Sequence, residues 1–246
     1  MIEHPKAVPA PVEFAPGLTL RGIAPPLSLR DYRLVAFDMD STLIGIECVD
    51  EIADMAGRKA EVAAITEAAM RGEIADYKES LRRRVALLAG VTEQQIERVY
   101  RERLRLNAGA AELVLACKAA GLKVLLVSGG FTHFAERLRA RLALDFVRSN
   151  QLEVVDGRLT GRIVPQCWGD ICDGAMKRET LLAACNLIGC APEQAIAIGD
   201  GANDLAMMTA AGLSVAYHAK PRVREQAQVA IDTGGLDRLL ELSRPS

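Results

Sequence analysis

The chain has 246 residues, half of them hydrophobic and only 4% aromatic, with a formal net charge of −2. At roughly 100–200 residues per domain, that length fits one large domain or a core carrying an insertion, with a core built mainly of Ala, Leu, Val and Ile. The near-neutral charge leaves no electrostatic footprint for nucleic acid or an anionic membrane surface, and no apolar stretch approaches the ~20 residues of a membrane span.

Residues 1–32 hold six of the ten prolines, including Pro25-Pro26. Proline fixes φ and removes a backbone donor, so this extension is predicted to be extended or irregular chain draped over the core. No basic region followed by an apolar region opens it, so a signal peptide is not expected and a cytoplasmic location is. An apolar run predicts the first strand at 33–38. It ends in Asp38-Met39-Asp40-Ser41-Thr42. Residues i and i+2 of a strand point the same way, so both acids can face one centre. Two close carboxylates repel unless Mg²⁺, a shared proton or both separate them. Taken alone, Asp-x-Asp after a strand also serves to cap a turn.

Residues 47–104 read as helical throughout, punctuated by Gly57, Gly72 and Gly90 and with Thr92 as a cap before 93–104. A purely helical block placed straight after a strand predicts a lid, inserted into a core of 33–46 and 105–246. Alternation then returns. A helix at 109–120 precedes a strand at 123–127, and Ser128-Gly129-Gly130 leads into a helix at 131–141. Asp156-Gly157 signals a hairpin within 145–164. A helix at 176–188, a strand at 195–198, a further helix and a strand at 213–216 follow. Strands alternating with helices predict a doubly wound, mostly parallel α/β sheet. The six cysteines include no Cys-x-x-Cys and fall mostly in apolar or helical patterns. They read as reduced buried thiols rather than a zinc site.

Three further segments carry chemistry. Ser128-Gly129-Gly130 fits either a phosphate cradle at a helix start or a tight turn. Gly199-Asp200-Gly201-Ala202-Asn203-Asp204 suits a hard, oxygen-liganded cation, and also fits an Asx-rich helix cap. Lys177 is an ordinary surface lysine unless it points into the same cleft.

Together, Asp38–Thr42, Ser128, Lys177 and Asp200–Asp204 resemble, in order, the four motifs of the haloacid dehalogenase-like phosphohydrolase superfamily, and the helical insertion falls where that family carries its first cap. The resemblance implies a Rossmann-like core, Mg²⁺ as cofactor and a small phosphate monoester as substrate. It implies Asp38 as nucleophile and Asp40 as general acid and base. Mg²⁺ is then held by the Asp38 and Asp200 side chains and the Asp40 carbonyl, with Asp204 orienting that shell. Lys177, Ser128, Gly129 and Asn203 contact the phosphoryl group.

Ser80–Val85, Val127–Phe131 and Ile198–Asp204 are similar to the branch of the family that hydrolyses O-phosphoserine. That similarity implies Glu47 at the substrate amine, Arg84 at its carboxylate and Tyr77 as an aromatic shield, in place of the more usual Phe. The loop before Tyr77 is one residue longer than usual, and Met176 and Arg178 replace the small residues usual beside the lysine. Other small phosphates such as phosphohomoserine or phosphocholine, transfer to an alcohol, and a non-catalytic scaffold remain alternatives. A monomer or homodimer is expected, with neither nucleic acid nor membrane as partner.

Overall fold

The computed structural model describes residues 9–243; the first eight residues of the expected extension lie outside the described residues. Strands β1 (Val12–Ala15), β2 (Leu18–Leu20), β3 (Leu34–Phe37), β4 (Lys123–Phe131), β5 (Phe146–Val155), β6 (Arg158–Val164), β7 (Ala195–Gly199), β8 (Leu213–Tyr217) and β9 (Val229–Ile231) form one sheet. Their order is β1-β2-β9-β8-β7-β3-β4-β5-β6. From β9 to β5 neighbouring strands run parallel, while β1-β2, β2-β9 and β5-β6 pair antiparallel.

The central strands are apolar on both faces because both are covered. In β3, Val35 and Phe37 join one core layer while Leu34 and Ala36 join the other. The first layer packs against α5 (Ala110–Ala119) and α6 (Thr132–Leu142). The second packs against α7 (Gly174–Ile188), α8 (Leu205–Ala210) and α9 (Pro221–Gln226). Asp156 and Gly157 both take positive φ, 49° and 71°, which closes the β5-β6 hairpin as the Asp-Gly pair predicts.

Between β3 and α5 lie α1 (Cys48–Met55), α2 (Lys59–Met70), α3 (Tyr77–Ala86) and α4 (Glu93–Glu102). The two chain crossings into this helical block run side by side. The Gly45 amide donates to the Arg105 carbonyl (3.0 Å), the Asn107 amide to Leu43 (3.0 Å), and the Asn107 side chain to the Thr42 carbonyl (2.8 Å). The block is also fastened to the β5-β6 hairpin. The amides of Gly90 and Glu93 donate to Leu159 and Gly157, and the Leu159 amide donates back to Val91.

One expectation fails. Within the predicted irregular extension, Val12–Leu20 forms a hairpin that lengthens the sheet through β9. Leu18 is fully buried there, and the Arg21 amide donates to the Gln228 carbonyl at 2.8 Å. Pro11 and Pro16 sit just outside the strands, where a missing donor costs nothing. Strands of three and four residues are too short to show periodicity in the sequence. If this hairpin is part of the cooperative fold, Leu18→Ala should cost about 2–5 kcal/mol in urea unfolding, as for other fully buried leucines. A loss below about 0.5 kcal/mol would show it to be peripheral.

Candidate active site

Strand β3 lies between β4 and β7, with Phe37 level with Leu126 and Ile198. The next residue on β3, Asp38, therefore emerges between the ends of two neighbours, and its amide donates to the Ile198 carbonyl at 2.9 Å. Carboxyl ends of strands are where open α/β sheets place ligands.

Lys177 reaches this point from behind. The Asp173 side chain caps α7 by accepting from the Met176 amide (2.9 Å), so the helix begins at Gly174, two residues earlier than predicted, and Lys177 falls in its first turn. Lys177 is 0% exposed, and its ammonium bridges Asp38 Oδ2 at 2.8 Å and Asp204 Oδ1 at 2.7 Å. It is therefore not a surface lysine.

Asp204 has no oxygen to spare. Its Oδ2 accepts from the amides of Asp200 (3.2 Å) and Gly201 (3.0 Å). Only glycine fits at 199, since a Cβ there would lie 2.4 Å from Asp204 Cγ. Asp200 Oδ1 accepts from the buried Thr42 hydroxyl at 2.8 Å. Oxygens of Asp38, Asp200 and Asp204 lie within 4.8 Å of one another. Three carboxylates around one ammonium leave negative charge that a hard divalent cation would balance, and oxygen donors suit such a cation. Asp38 and Asp200 line the cavity in front, where such a cation would sit, while Asp204 lies outside the lining and holds Lys177 and the loop amides in place.

Burial and the Asp204 charge push the Asp38 carboxyl up, against the pull of Lys177. Burial and Asp204 likewise push Asp200 to about 6. Asp40 is pushed to about 7, by burial first and by Glu47 second, outweighing the contact with Cys48. Its Oδ1 is buried without a hydrogen-bond partner. Such a carboxyl can hold or release a proton near neutral pH.

The Ser128 region departs from expectation. Ser128-Gly129-Gly130 is not a helix-start turn, because β4 continues through it to Phe131 and α6 begins at Thr132. The phosphate-cradling role cannot then draw on a helix N-terminus. It rests instead on the Ser128 hydroxyl, which accepts from the Gly130 amide at 2.9 Å and keeps its own proton to donate. Buried Asn150 on β5 braces the segment, donating to the Gly129 carbonyl at 2.7 Å and accepting from the Cys172 amide at 2.8 Å. Sequence reading missed Asn150; an amide inside a strand was the available signal.

The helical block closes the cavity, which measures about 460 Å³. Asp76 caps α3, placing Tyr77 in its first turn, with the hydroxyl 2.0 Å from where a Gly129 Cβ would stand. Arg82 and Arg83 turn outward to Asp170 and Glu79 (2.5 and 2.7 Å), while Arg84 lines the cavity. Its guanidinium donates to the Ser80 carbonyl at 3.4 Å. Glu47, at the start of α1, accepts from the Ser41 hydroxyl at 2.7 Å and lines the cavity with Asn203. The residues that the sequence singled out therefore meet at one place, from the ends of β3 and β7, the later part of β4, one helix and the inserted block.

Residues 35–209 match the model of the haloacid dehalogenase-like hydrolases. The chain is 70% identical over 235 residues to a phosphoserine phosphatase of Albidiferax ferrireducens, covering 96% of this chain and 99% of the relative. It is 71% identical to a phosphoserine phosphatase of a Polaromonas species, covering 94% and 98% respectively. Among solved structures, a phospho-aspartyl intermediate analogue of phosphoserine phosphatase aligns with a TM-score of 0.79 at 37% identity, covering 87% of this chain and 99% of that one.

The acid cluster has a thermodynamic signature. Burial and neighbouring acids push Asp40 to about 7 and Asp200 to about 6 in the folded protein, well above the usual range of an aspartate. The folded state thus binds more protons than the unfolded chain, and stability in chelator should fall as pH rises from about 4 to about 7. A divalent cation binds the ionised carboxylates, so added Mg²⁺ should raise the melting temperature by several degrees more at pH 7.5 than at pH 5, with about 1 kcal/mol moving a chain this size by roughly 2–4 °C. An equal effect of metal at both values would count against this site.

Proposed function

The chain belongs to the haloacid dehalogenase-like hydrolases, and we propose that it hydrolyses O-phosphoserine to serine and phosphate through a phosphorylated Asp38, as a cytoplasmic enzyme. The observation that carries this reading is the pairing of Asp38, fixed by a buried lysine, with a neighbouring Asp40 carboxyl poised near neutral pH. The relatives named above are phosphoserine phosphatases.

Asp38 attacks phosphorus as the ester P–O bond breaks, dividing one difficult displacement into two easier ones. Asp40 gives its proton to the departing serine oxygen. It then takes a proton from the water that attacks phosphorus and releases Asp38. Lys177 orients Asp38 and sets positive charge beside the reacting oxygens. The Ser128 hydroxyl, the Gly129 amide and the Asn203 side chain hold the phosphoryl oxygens. Mg²⁺, held by the Asp38 and Asp200 side chains with the Asp40 carbonyl, would supply the charge needed to bring a phosphate dianion against a carboxylate nucleophile.

Recognition of the amino acid falls to the helical block, 47–104, acting as a lid on a core of 33–46 and 105–246. The planar Arg84 guanidinium suits the substrate carboxylate, and Glu47 suits the ammonium. Tyr77 shuts water out over Gly129.

Two substitutions separate chemistry from recognition. Asp38→Asn keeps the shape but removes the nucleophile, so kcat should fall by at least about a thousandfold; a variant keeping a tenth of the wild-type rate would show that Asp38 does not attack. Arg84→Ala should lower kcat/KM for phosphoserine by about a hundredfold, and that for an aryl phosphate without a carboxylate by no more than about threefold. Equal losses would remove Arg84 from carboxylate recognition.

A further inference from the structure

Acids outnumber cations in the cavity lining, and the divalent ion at Asp38 and Asp200 and the proton on Asp40 still leave the carboxyl groups of Glu47 and Asp50 there. Five carboxylates line it against two cations, Arg84 and Lys220. Lys177 lies behind the wall, already shared by Asp38 and Asp204. Arg84 is engaged by the substrate carboxylate in the reading above, on which this inference rests. A phosphate monoester, carrying close to two negative charges at neutral pH, therefore enters an acid-lined cavity with one exposed, uncommitted lysine in its lining, Lys220.

That cation is held in place. Lys220 follows β8 and directly precedes Pro221, which opens α9. A residue before proline is confined to extended backbone, and Lys220 has ψ 150°. Its amide donates to the Asp200 carbonyl at 3.3 Å, tying it to the loop that carries Asp200 and Asn203. Among the described residues its ammonium pairs with no carboxylate; its contact is the Met70 sulfur at 4.0 Å, across the mouth on α2. Met70, 64% exposed, and Thr66 form the facing lip.

We infer that Lys220 is the substrate-capture residue of this site: its ammonium meets the phosphate dianion at the mouth, offsets the acidic lining and hands the group inward to Ser128 and Asn203. It touches the incoming phosphate and takes no part in bond making or breaking. Rim charges act mainly on association and on its salt dependence.

The test compares wild type, Lys220→Met and Lys220→Arg with Mg²⁺ present, following kcat and KM for phosphoserine from about 20 to about 500 mM salt, a range over which screening becomes strong. Lys220→Met should lose about tenfold in kcat/KM at low salt. The loss should fall mainly on KM, flatten the salt dependence, and be largely restored by Lys220→Arg. Inorganic phosphate, titrated by calorimetry, should bind the Met variant more weakly in parallel. The inference is overturned if the Met variant stays within twofold of wild type with the same salt slope, if the loss lies in kcat alone, or if arginine restores nothing. Melting curves, and Lys220→Gln as a second neutral variant, guard against a folding defect. A wild type that ignores phosphoserine would sink the substrate reading instead, and the phosphate titration would then still decide the role of Lys220.

Discussion

The buried ammonium of Lys177, clamped between Asp38 and Asp204, is the interaction on which the rest depends. Removing one partner from such a pair leaves an uncompensated charge in the interior, at a cost of about 3–5 kcal/mol. Each partner is in turn held by backbone. Asp38 Oδ1 accepts from the Met39 amide at 2.6 Å, and Asp204 Oδ2 accepts from two loop amides. The network thus locks the ends of β3 and β7 and the first turn of α7 into one rigid unit. Asp38 is held in one orientation without substrate, which in the proposed reaction leaves little reorganisation for the chemical step.

The helical block is held unevenly around that unit. Helix α3, which carries Tyr77 and Arg84, is pinned by Lys78 and Arg82 to Asp170 and followed by backbone bonds to the β5-β6 hairpin. Helix α4 is tied to α6 through the Glu97–Arg137 ion pair. Helix α2 buries a single side chain, Val62, and faces the mouth with Thr66 and Met70. The wall that carries Tyr77 and Arg84 is therefore tied down, while the wall across the entrance has little apolar burial holding it. Low burial marks the elements that open at least cost.

Legibility in the sequence followed how local each signal was. Strands β3, β7 and β8 were readable because they are buried on both faces and appear as continuous apolar runs. The site acids were readable because strand-end loops carry them in short, ordered strings. Strand β9 and the β1-β2 hairpin were not, since three- and four-residue strands owe their existence to neighbours distant in sequence. Lys177 looked like an ordinary surface residue because nothing local marks a lysine as buried; only the fold brings Asp38 and Asp204 to it. The Ser128 segment misled in the opposite direction. Glycines after a strand suggest a turn, yet here they let β4 continue while Tyr77 packs close above.

The same placement of charge suits the site to a divalent cation from solution as well as to Lys177. In the proposed reaction Asp38 must be ionised to attack, yet burial and Asp204 both favour its protonated form, and Lys177 is shared with Asp204. Asp40 needs the opposite, a proton held near neutral pH, and Glu47 with burial provides it. A divalent ion beside Asp38 and Asp200 would lower the Asp38 carboxyl while leaving Asp40, whose side chain lies outside the cluster of Asp38, Asp200 and Asp204, free to keep its proton. Two acids two residues apart can then hold opposite protonation states at one pH, which a nucleophile and a proton donor working on the same bond require.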